Sequence, residues 1–259
     1  MKVSIITVCF NSSKTIEETI QSVLSQDYPN IEYLVIDGGS IDGTQTIIQK
    51  YQGKIASWVS EPDQGMYAAM NKGISMATGD VIGILNSDDV YVSSRAVSEL
   101  MDVMSNANAD VVFADLILVD PNNLNKVLRY YDSGRFQPRK FRWGWMPAHP
   151  TVFVKKEYYD RVGLFALDYQ IAADYEMLIR ILAIEKAPFA YLPKPMVRMR
   201  AGGASTAGLS RNWILNKEIV RACRENGIYT NMAMLLLKLP FKLWDKIYGM
   251  SGKTSGLNK

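Results

Sequence analysis

Over residues 1–90, apolar runs rich in β-branched residues alternate with helical patterns, and each run stops at a polar or acidic residue. Lys2 to Cys9, Ile31 to Asp37, Ile55 to Ser60 and Val81 to Leu85 read as strands. Between them Ile16, Ile20, Val23 and Leu24 recur at helical spacing, Thr44 to Tyr51 reads as a short helix, and Tyr67, Met70, Ile74 and Ala77 share one helical face. Strand and helix alternating at this interval predict an α/β fold with a parallel sheet. Three strands then end in polar residues at one edge, namely Asn11, Asp37, and Asp88 with Asp89. The carboxyl edge is where open α/β sheets bind ligands, and convergent polar groups are what a pocket needs.

The last of these runs, VIGILNSDDV (Val81 to Val90), places two adjacent carboxylates after a strand buried on both faces. Hard divalent cations take oxygen ligands, and one or two carboxylates with substrate phosphates make a usual magnesium site. An Asx turn closing the strand is the other reading, and these residues alone do not separate the two.

With 259 residues and 48% hydrophobic content, the chain holds one large α/β domain or a domain with an appendage. Cys9 and Cys223 are far apart and show no ligand spacing, so neither a disulfide framework nor a zinc site is expected, and a reducing, cytoplasmic setting fits. The apolar stretch VSIITVCF is short and stops at Asn11, unlike a signal peptide. Met232 to Leu237 is broken by Lys238, well short of the ~18 residues of a spanning helix. The net charge of +3 resides in the tail, where Lys238, Lys242, Lys246, Lys253 and Lys259 face Asp245 alone. No basic stripe with a recognisable module argues for nucleic acid as a partner.

The pattern SIITVCFNSSKTIEETIQSVLSQDYPNIEYLVIDGGSIDGT, then SEPDQGMYAAMNKGISMATGDVIGILNSDD, resembles the family 2 glycosyltransferases of GT-A fold, which are inverting and nucleotide-sugar dependent. The likeness is close from Val3 to Val90 and continues to about Ser205 through HPTVFVKKEYY, AADYEMLIRIL and RAGGAS. It implies a Rossmann-like, mixed but mainly parallel sheet flanked by helices, with a C-terminal helical extension. The implied GT-A domain covers residues 1–205, with a nucleotide half over 1–90 and an acceptor half over 91–205, and the extension covers 206–259.

Carried over by position, the resemblance assigns Thr7 and Asn11 to the nucleotide pocket and Asp37 to the base, favouring uridine. Asp63, Asn71 and Lys72 line the nucleotide and diphosphate region. Asn86-Ser87-Asp88-Asp89 stands where the family has D-x-D, whose carboxylates touch the ribose and bind Mn2+ or Mg2+. Here the first position is an uncharged amide, so metal binding falls to Asp88 and Asp89. Asp174 matches the general base; an acidic residue that merely favours the helix N-terminus is the plainer reading.

His149, the one histidine, is placed near the diphosphate or the acceptor, although a lone histidine is more often structural. Between Gly134 and Pro150, Arg135, Arg139, Lys140, Arg142, Trp143 and Trp145 put aromatic faces beside cations, which suits a sugar or phosphate acceptor or packing against a helix. Asp110 to Val119 reads as a strand pair interrupted by Asp115, and Phe189 to Leu192 and Val197 to Arg200 read as short strands around Pro193 and Pro195. Arg198 and Arg200 flank the glycine-rich loop from Gly202 to Ser205 and are placed at the diphosphate.

The tail from Asn231 to Met250 reads as an amphipathic helix with lysines on its polar face. It suits peripheral contact with the cytoplasmic face of an inner membrane, or packing on the domain or on a second subunit in a homodimer. The expected reaction moves one sugar from a nucleoside-diphosphate sugar to an acceptor hydroxyl, the acceptor being a glycan or lipid-linked glycan of a bacterial surface polysaccharide. A non-catalytic nucleotide-sugar-binding subunit that recruits a partner enzyme is the alternative. A nucleotidyltransferase would want a glycine-rich loop where Phe10-Asn11-Ser12-Ser13 stands. A processive synthase would bring spanning helices and a Q-x-x-R-W motif.

Overall fold

The computed structural model describes residues 1–202 and 209–237. Strand β1 (Val3–Cys9) is buried along its whole length because it is paired on both sides and covered on both faces. Strand β2 (Ile31–Asp37) runs parallel on one side of it and β4 (Val81–Ile84) on the other, with β3 (Ser57–Ser60) outside β2. Next to β4 comes the three-residue β8 (Phe153–Lys155), antiparallel to both β4 and β6 (Val111–Asp120). Strand β9 (Phe189–Arg200) continues the sheet parallel to β6, β5 (Val90–Tyr91) closes the edge, and β7 (Asn123–Tyr131) turns back on β6. The result is the mixed, largely parallel sheet expected from the sequence.

Alternation along the strands divides the core in two. Ile6, Val8, Leu34, Ile36, Ile82 and Phe113 point to one face, where helices α3 (Met66–Met76), α5 (Lys156–Val162), α6 (Ala173–Ile179) and α7 (Leu209–Glu225) cover them. Val3, Ile5, Tyr33, Val35, Val81 and Val112 point to the other, under α1 (Ile16–Leu24), α2 (Thr44–Lys50) and α4 (Ala96–Asn106). Helix α4 shows why these segments are helical: Val97, Leu100, Met101 and Met104 fall at spacings of three and four and are all buried. Each such side chain stabilises the fold by about 1.5–3 kcal/mol on burial. Helix α3 lies close on β1 because Gly73 has no side chain; a Cβ there would collide with Ile6.

Two differences from the sequence reading have clear causes. Residues 189–200, expected as two short strands around Pro193 and Pro195, form one strand, and the prolines sit at register shifts where no ladder N–H is needed. Asp115, expected to interrupt its strand, lies inside continuous β6 and is fully buried. Its carboxylate accepts bonds from Tyr130 Oη (2.5 Å), Ser133 N (2.7 Å) and Tyr191 Oη (2.8 Å), which satisfies it there.

At the carboxyl end of the chain, α7 sends Ile219, Ala222 and Cys223 into the same core as α6. The expected tail helix is described only in its first part, α8 (Met232–Leu236), capped by the Asn231 side chain accepting from Met234 N. The remainder of that helix, the basic tail, and residues 203–208 of the glycine-rich loop lie outside the described residues. Among the described residues no helix is long and apolar enough to cross a membrane.

Candidate active site

Strands β2 and β4 lie on opposite sides of β1, so the chain order reverses there and a crevice opens at the carboxyl ends of the strands. Three loops meet at this point and are bonded to one another. Asn11, whose φ of 49° an asparagine tolerates better than most residues, donates its N–H to Ser40 Oγ and accepts from Ile41 N. Ser12 N donates to Thr44 Oγ1 at 2.8 Å, and Ser12 Oγ lies 2.8 Å from Ser87 Oγ. The crevice is a cleft of about 1060 Å³ lined by Asn11, Lys14, Asp63, Tyr67, Asn86, Asp88, Asp89, His149, Gln170, Ile171, Asp174 and Arg200, among others.

Asp89 is fully buried, yet neither carboxylate oxygen has a hydrogen-bond partner, and Asn86 Oδ1 is also unpartnered. Burial, and then the neighbouring Asp88, push its pKa well above the usual carboxylate range. The Asn86 side chain and the Arg200 backbone oppose this without making a bond of proper geometry. Burial also raises the Asp88 carboxyl. Unpaired buried oxygens of this kind are costly, and a divalent cation satisfies them. Among the described residues no cluster of three or more His, Cys, Asp or Glu could hold a metal. The set therefore fits an ion held by one or two carboxylates and completed by phosphate and water. Arg200 fastens the carboxylate loop from behind: Nη1 donates to Asp88 O at 2.6 Å, Nε to Pro121 O at 3.2 Å, and Nη2 pairs with Glu18.

Asp174 stands in the first turn of α6, and its Oδ1 accepts from Tyr175 N at 2.7 Å. Burial raises its pKa, and the nearby His149 works the other way. Burial correspondingly lowers His149, whose ring meets Phe165 edge-on at 5.9 Å. A carboxylate made more basic by desolvation, facing the same cleft as the unpartnered oxygens of Asn86 and Asp89, can take a proton from a hydroxyl.

Eight of the residues singled out from the sequence meet in this cleft: Asn11, Asp63, Asn86, Asp88, Asp89, His149, Asp174 and Arg200. Thr7, Asp37, Asn71, Lys72 and Trp145 are not among the residues that line it. Thr7 is buried in β1 and accepts from Tyr33 Oη at 3.1 Å. Asp37 is also buried, with its carboxylate taken up by Ser40 N, Ser40 Oγ, Ser60 Oγ and the Cys9 thiol. Asn71 is occupied by the backbone of Phe165, donating to its O and accepting from its N at 2.8 Å each. Lys72 pairs with Glu61. Trp145 follows the left-handed turn at Gly144 and returns its N–H to Lys140 O, outside the cleft wall.

Sequence reasoning missed Tyr67 and Gln170 in the wall. Tyr67 had been counted only as part of an apolar face, and Gln170 stands in a loop without a pattern. It also missed a substitution in space. A Cβ on Gly38 would lie 2.7 Å from Asp63 Oδ2, so the Asp63 carboxylate fills the volume that a side chain after Asp37 would take.

The fold is similar to that of solved glycosyltransferases. Staphylococcus aureus TarS 1–349, in complex with UDP-GlcNAc, superposes with a TM-score of 0.66 over 99% of this chain and 75% of that one, at 20% identity. Mannosyltransferase PcManGT from Pyrobaculum calidifontis, in complex with GDP-Man and Mn2+, gives 0.61 over 99% and 84%, at 16% identity. At these identities the likeness is one of fold, and the fold is GT-A. The class is that of the glycosyltransferases. Residues 4–162 match the model of glycosyl transferase family 2, and an uncharacterized glycosyltransferase of Mycobacterium tuberculosis is 33% identical over 180 residues, 69% of this chain and 68% of the relative. The chain belongs to glycosyl transferase family 2.

Proposed function

We propose that this glycosyltransferase moves one sugar from a nucleoside-diphosphate sugar to an acceptor hydroxyl with inversion at the anomeric carbon, using Asp174 as the base. The observation that carries the reading is that the desolvated Asp174 carboxylate shares one cleft, at the switch point of the sheet, with Asp88 and with the unpartnered oxygens of Asn86 and Asp89. The acceptor oxygen attacks the anomeric carbon as the bond to the diphosphate breaks. Its proton passes to the Asp174 carboxylate, and the electron pair leaves with the diphosphate. No covalent sugar–enzyme intermediate is required. Lys14, exposed in the cleft wall, offers an ammonium to the diphosphate. Asp88 and Asp89, with Asn86 beside them, would hold a Mn2+ or Mg2+, which when bound supplies positive charge to the departing diphosphate.

Of the two carboxylates assigned to the nucleotide, Asp63 has the geometry that favours contact with the base. Asp37 has spent its oxygens on Ser40 and Ser60, whereas Asp63 faces the cleft over Gly38. A carboxylate there accepts from the ring N–H of uridine, thymidine or guanosine. The UDP-GlcNAc and GDP-Man complexes of the structural neighbours support both uridine and guanosine as candidates. An acceptor carried on a membrane lipid rests on the family resemblance and on the basic tail.

Thermal unfolding of the purified chain with UDP, GDP and dTDP, each with Mn2+ or with chelator, tests the donor half. One nucleotide raises the midpoint in the presence of metal, by about 2.7 kcal/mol of stabilisation at a hundredfold excess over its Kd. No shift from any of the three overturns the reading of the cleft. Release of UDP or GDP that survives Asp174→Asn at full rate overturns the role of the base, whereas a wild-type chain that binds nucleotide with metal but releases none from any donor is a nucleotide-sugar-binding subunit.

A further inference from the structure

Helix α6 begins after Ala172, an N-cap with no side-chain oxygen, and the backbone N–H groups that lead into it find their acceptor on another helix. Glu218, on α7, accepts from Gln170 N at 2.7 Å with one oxygen and from Ile171 N and Ala172 N at 2.9 Å each with the other. One carboxylate thus closes three successive backbone donors immediately before the turn that carries Asp174. Charge-assisted bonds of this type are short and directional, and a negative charge at a helix start is favoured.

The same loop is held from the opposite side by α3. Tyr67 Oη donates to Ile171 O at 2.5 Å, and Asn71 brackets Phe165. Gln170, Ile171 and Asp174 line the cleft, whereas Glu218 does not. A shift of the capped backbone is therefore passed directly to the wall and to the base.

We infer that Glu218 is a positioning residue for the transfer reaction: by holding the N–H groups of residues 170–172 it sets the Asp174 carboxylate against the attacking hydroxyl. This rests on the reading of Asp174 as the base. It makes α7 part of the catalytic apparatus, although its sequence carries no reactive motif.

Glu218→Ala, Glu218→Gln and Asp174→Asn test it. The donor is whichever of UDP-GlcNAc, UDP-glucose and GDP-mannose stabilises the chain most, and the assay is release of its nucleoside diphosphate. A base displaced by about 1 Å loses up to roughly 100-fold in rate, so Glu218→Ala lowers kcat about 10- to 100-fold. Donor KM stays within about twofold, and amide exchange accelerates at residues 170–172 while the central strands keep their protection. Glu218→Gln, whose amide oxygen still accepts but whose NH2 faces backbone donors, falls between wild type and Glu218→Ala, and it decides the matter if the alanine variant does not fold.

Wild-type kcat in either variant overturns the inference. So does a loss of kcat that comes with an equal loss of donor affinity and with faster exchange throughout the core, which is the mark of a merely structural role. If Asp174→Asn is silent while Glu218→Ala turns over at the wild-type rate, this inference alone fails. If Asp174→Asn turns over normally, the reading of the base fails first.

Discussion

The loops that end β1 and β2 and the segment that leads to Asp174 form two walls of one cleft, and they are secured over very different spans of chain. The first wall is held mostly over shorter spans: Asp37 holds Ser40 three residues on, Asn11, Ser12 and Ser13 bind the next loop through Ile41, Thr44 and Asp42 at separations of 29 to 32 residues, and Ser12 alone reaches further, to Ser87. The second is assembled from a distance. Asn71 reaches Phe165 across 94 residues, Tyr67 reaches Ile171 across 104, and Glu218 returns to Ala172 from 46 residues further on. A wall built from short loops forms once two neighbouring strands pair, whereas the other requires α3, α6 and α7 to be docked together. On the proposed function, nucleotide binding and catalysis are therefore expected to be separable by substitution.

The sharpest separation comes from Asp174→Asn, which lowers kcat about 100- to 10,000-fold while nucleotide affinity, measured by titration, is unchanged. Because burial raises the Asp174 pKa, its ionised form weakens the folded state at neutral pH. The loss begins as pH climbs past the ordinary aspartate value of about 3.9 and is complete above the raised value. The asparagine variant therefore melts at or above the wild-type temperature at pH 7, which calorimetry checks. The base must also be ionised to work, so the acid limb of the kcat profile lies above pH ~3.9 in the wild type.

Asn71→Ala comes next. It leaves the backbone N–H and C=O of Phe165 without partners, at about 1–3 kcal/mol for each such group, and lowers kcat about tenfold with little change in nucleotide Kd. An equal fall in nucleotide affinity would break the division between the walls. Asp63→Asn acts the other way, weakening nucleotide binding about tenfold in calorimetric titration while the exposed loop keeps stability within about 0.5 kcal/mol of wild type. Lys72→Ala has the smallest effect. Its ion pair with Glu61 is largely exposed and contributes about 0–1 kcal/mol, and steady-state constants stay within about twofold.

The same division explains what could be read from residues alone. The β-branched runs and the polar residues ending them disclose the sheet and the position of Asn86 to Asp89, because strand, turn and carboxylate are contiguous. Thr7, Asp37 and Asn71 stand in the motifs but serve the cleft from behind it, and only tertiary hydrogen bonds distinguish a contact residue from its support. Gly38 and Asp63 exchange volume across 25 positions, a relation that no local pattern records. Glu218 is one of two glutamates in an amphipathic helix, so its partners become visible only when α7 is folded against α6. The prolines of β9 misled for a local reason: they forbid ladder bonds at two positions, and a bulged strand supplies two such positions.

Strand β8, three residues long, lies between β4 and β6, both of which precede it in the chain. During synthesis the strands on either side emerge first, and the gap between them is filled only when Phe153 to Lys155 leaves the ribosome. His149 is four residues upstream of this insertion and Asp174 lies downstream of it, so a nascent chain can shape its nucleotide loops long before it can be reactive. Paired on both sides, β8 cannot leave without opening the middle of the sheet. The amides of β8 are thus the natural reporters of whole-molecule opening, while those of the peripheral β3 and β7 exchange through smaller excursions.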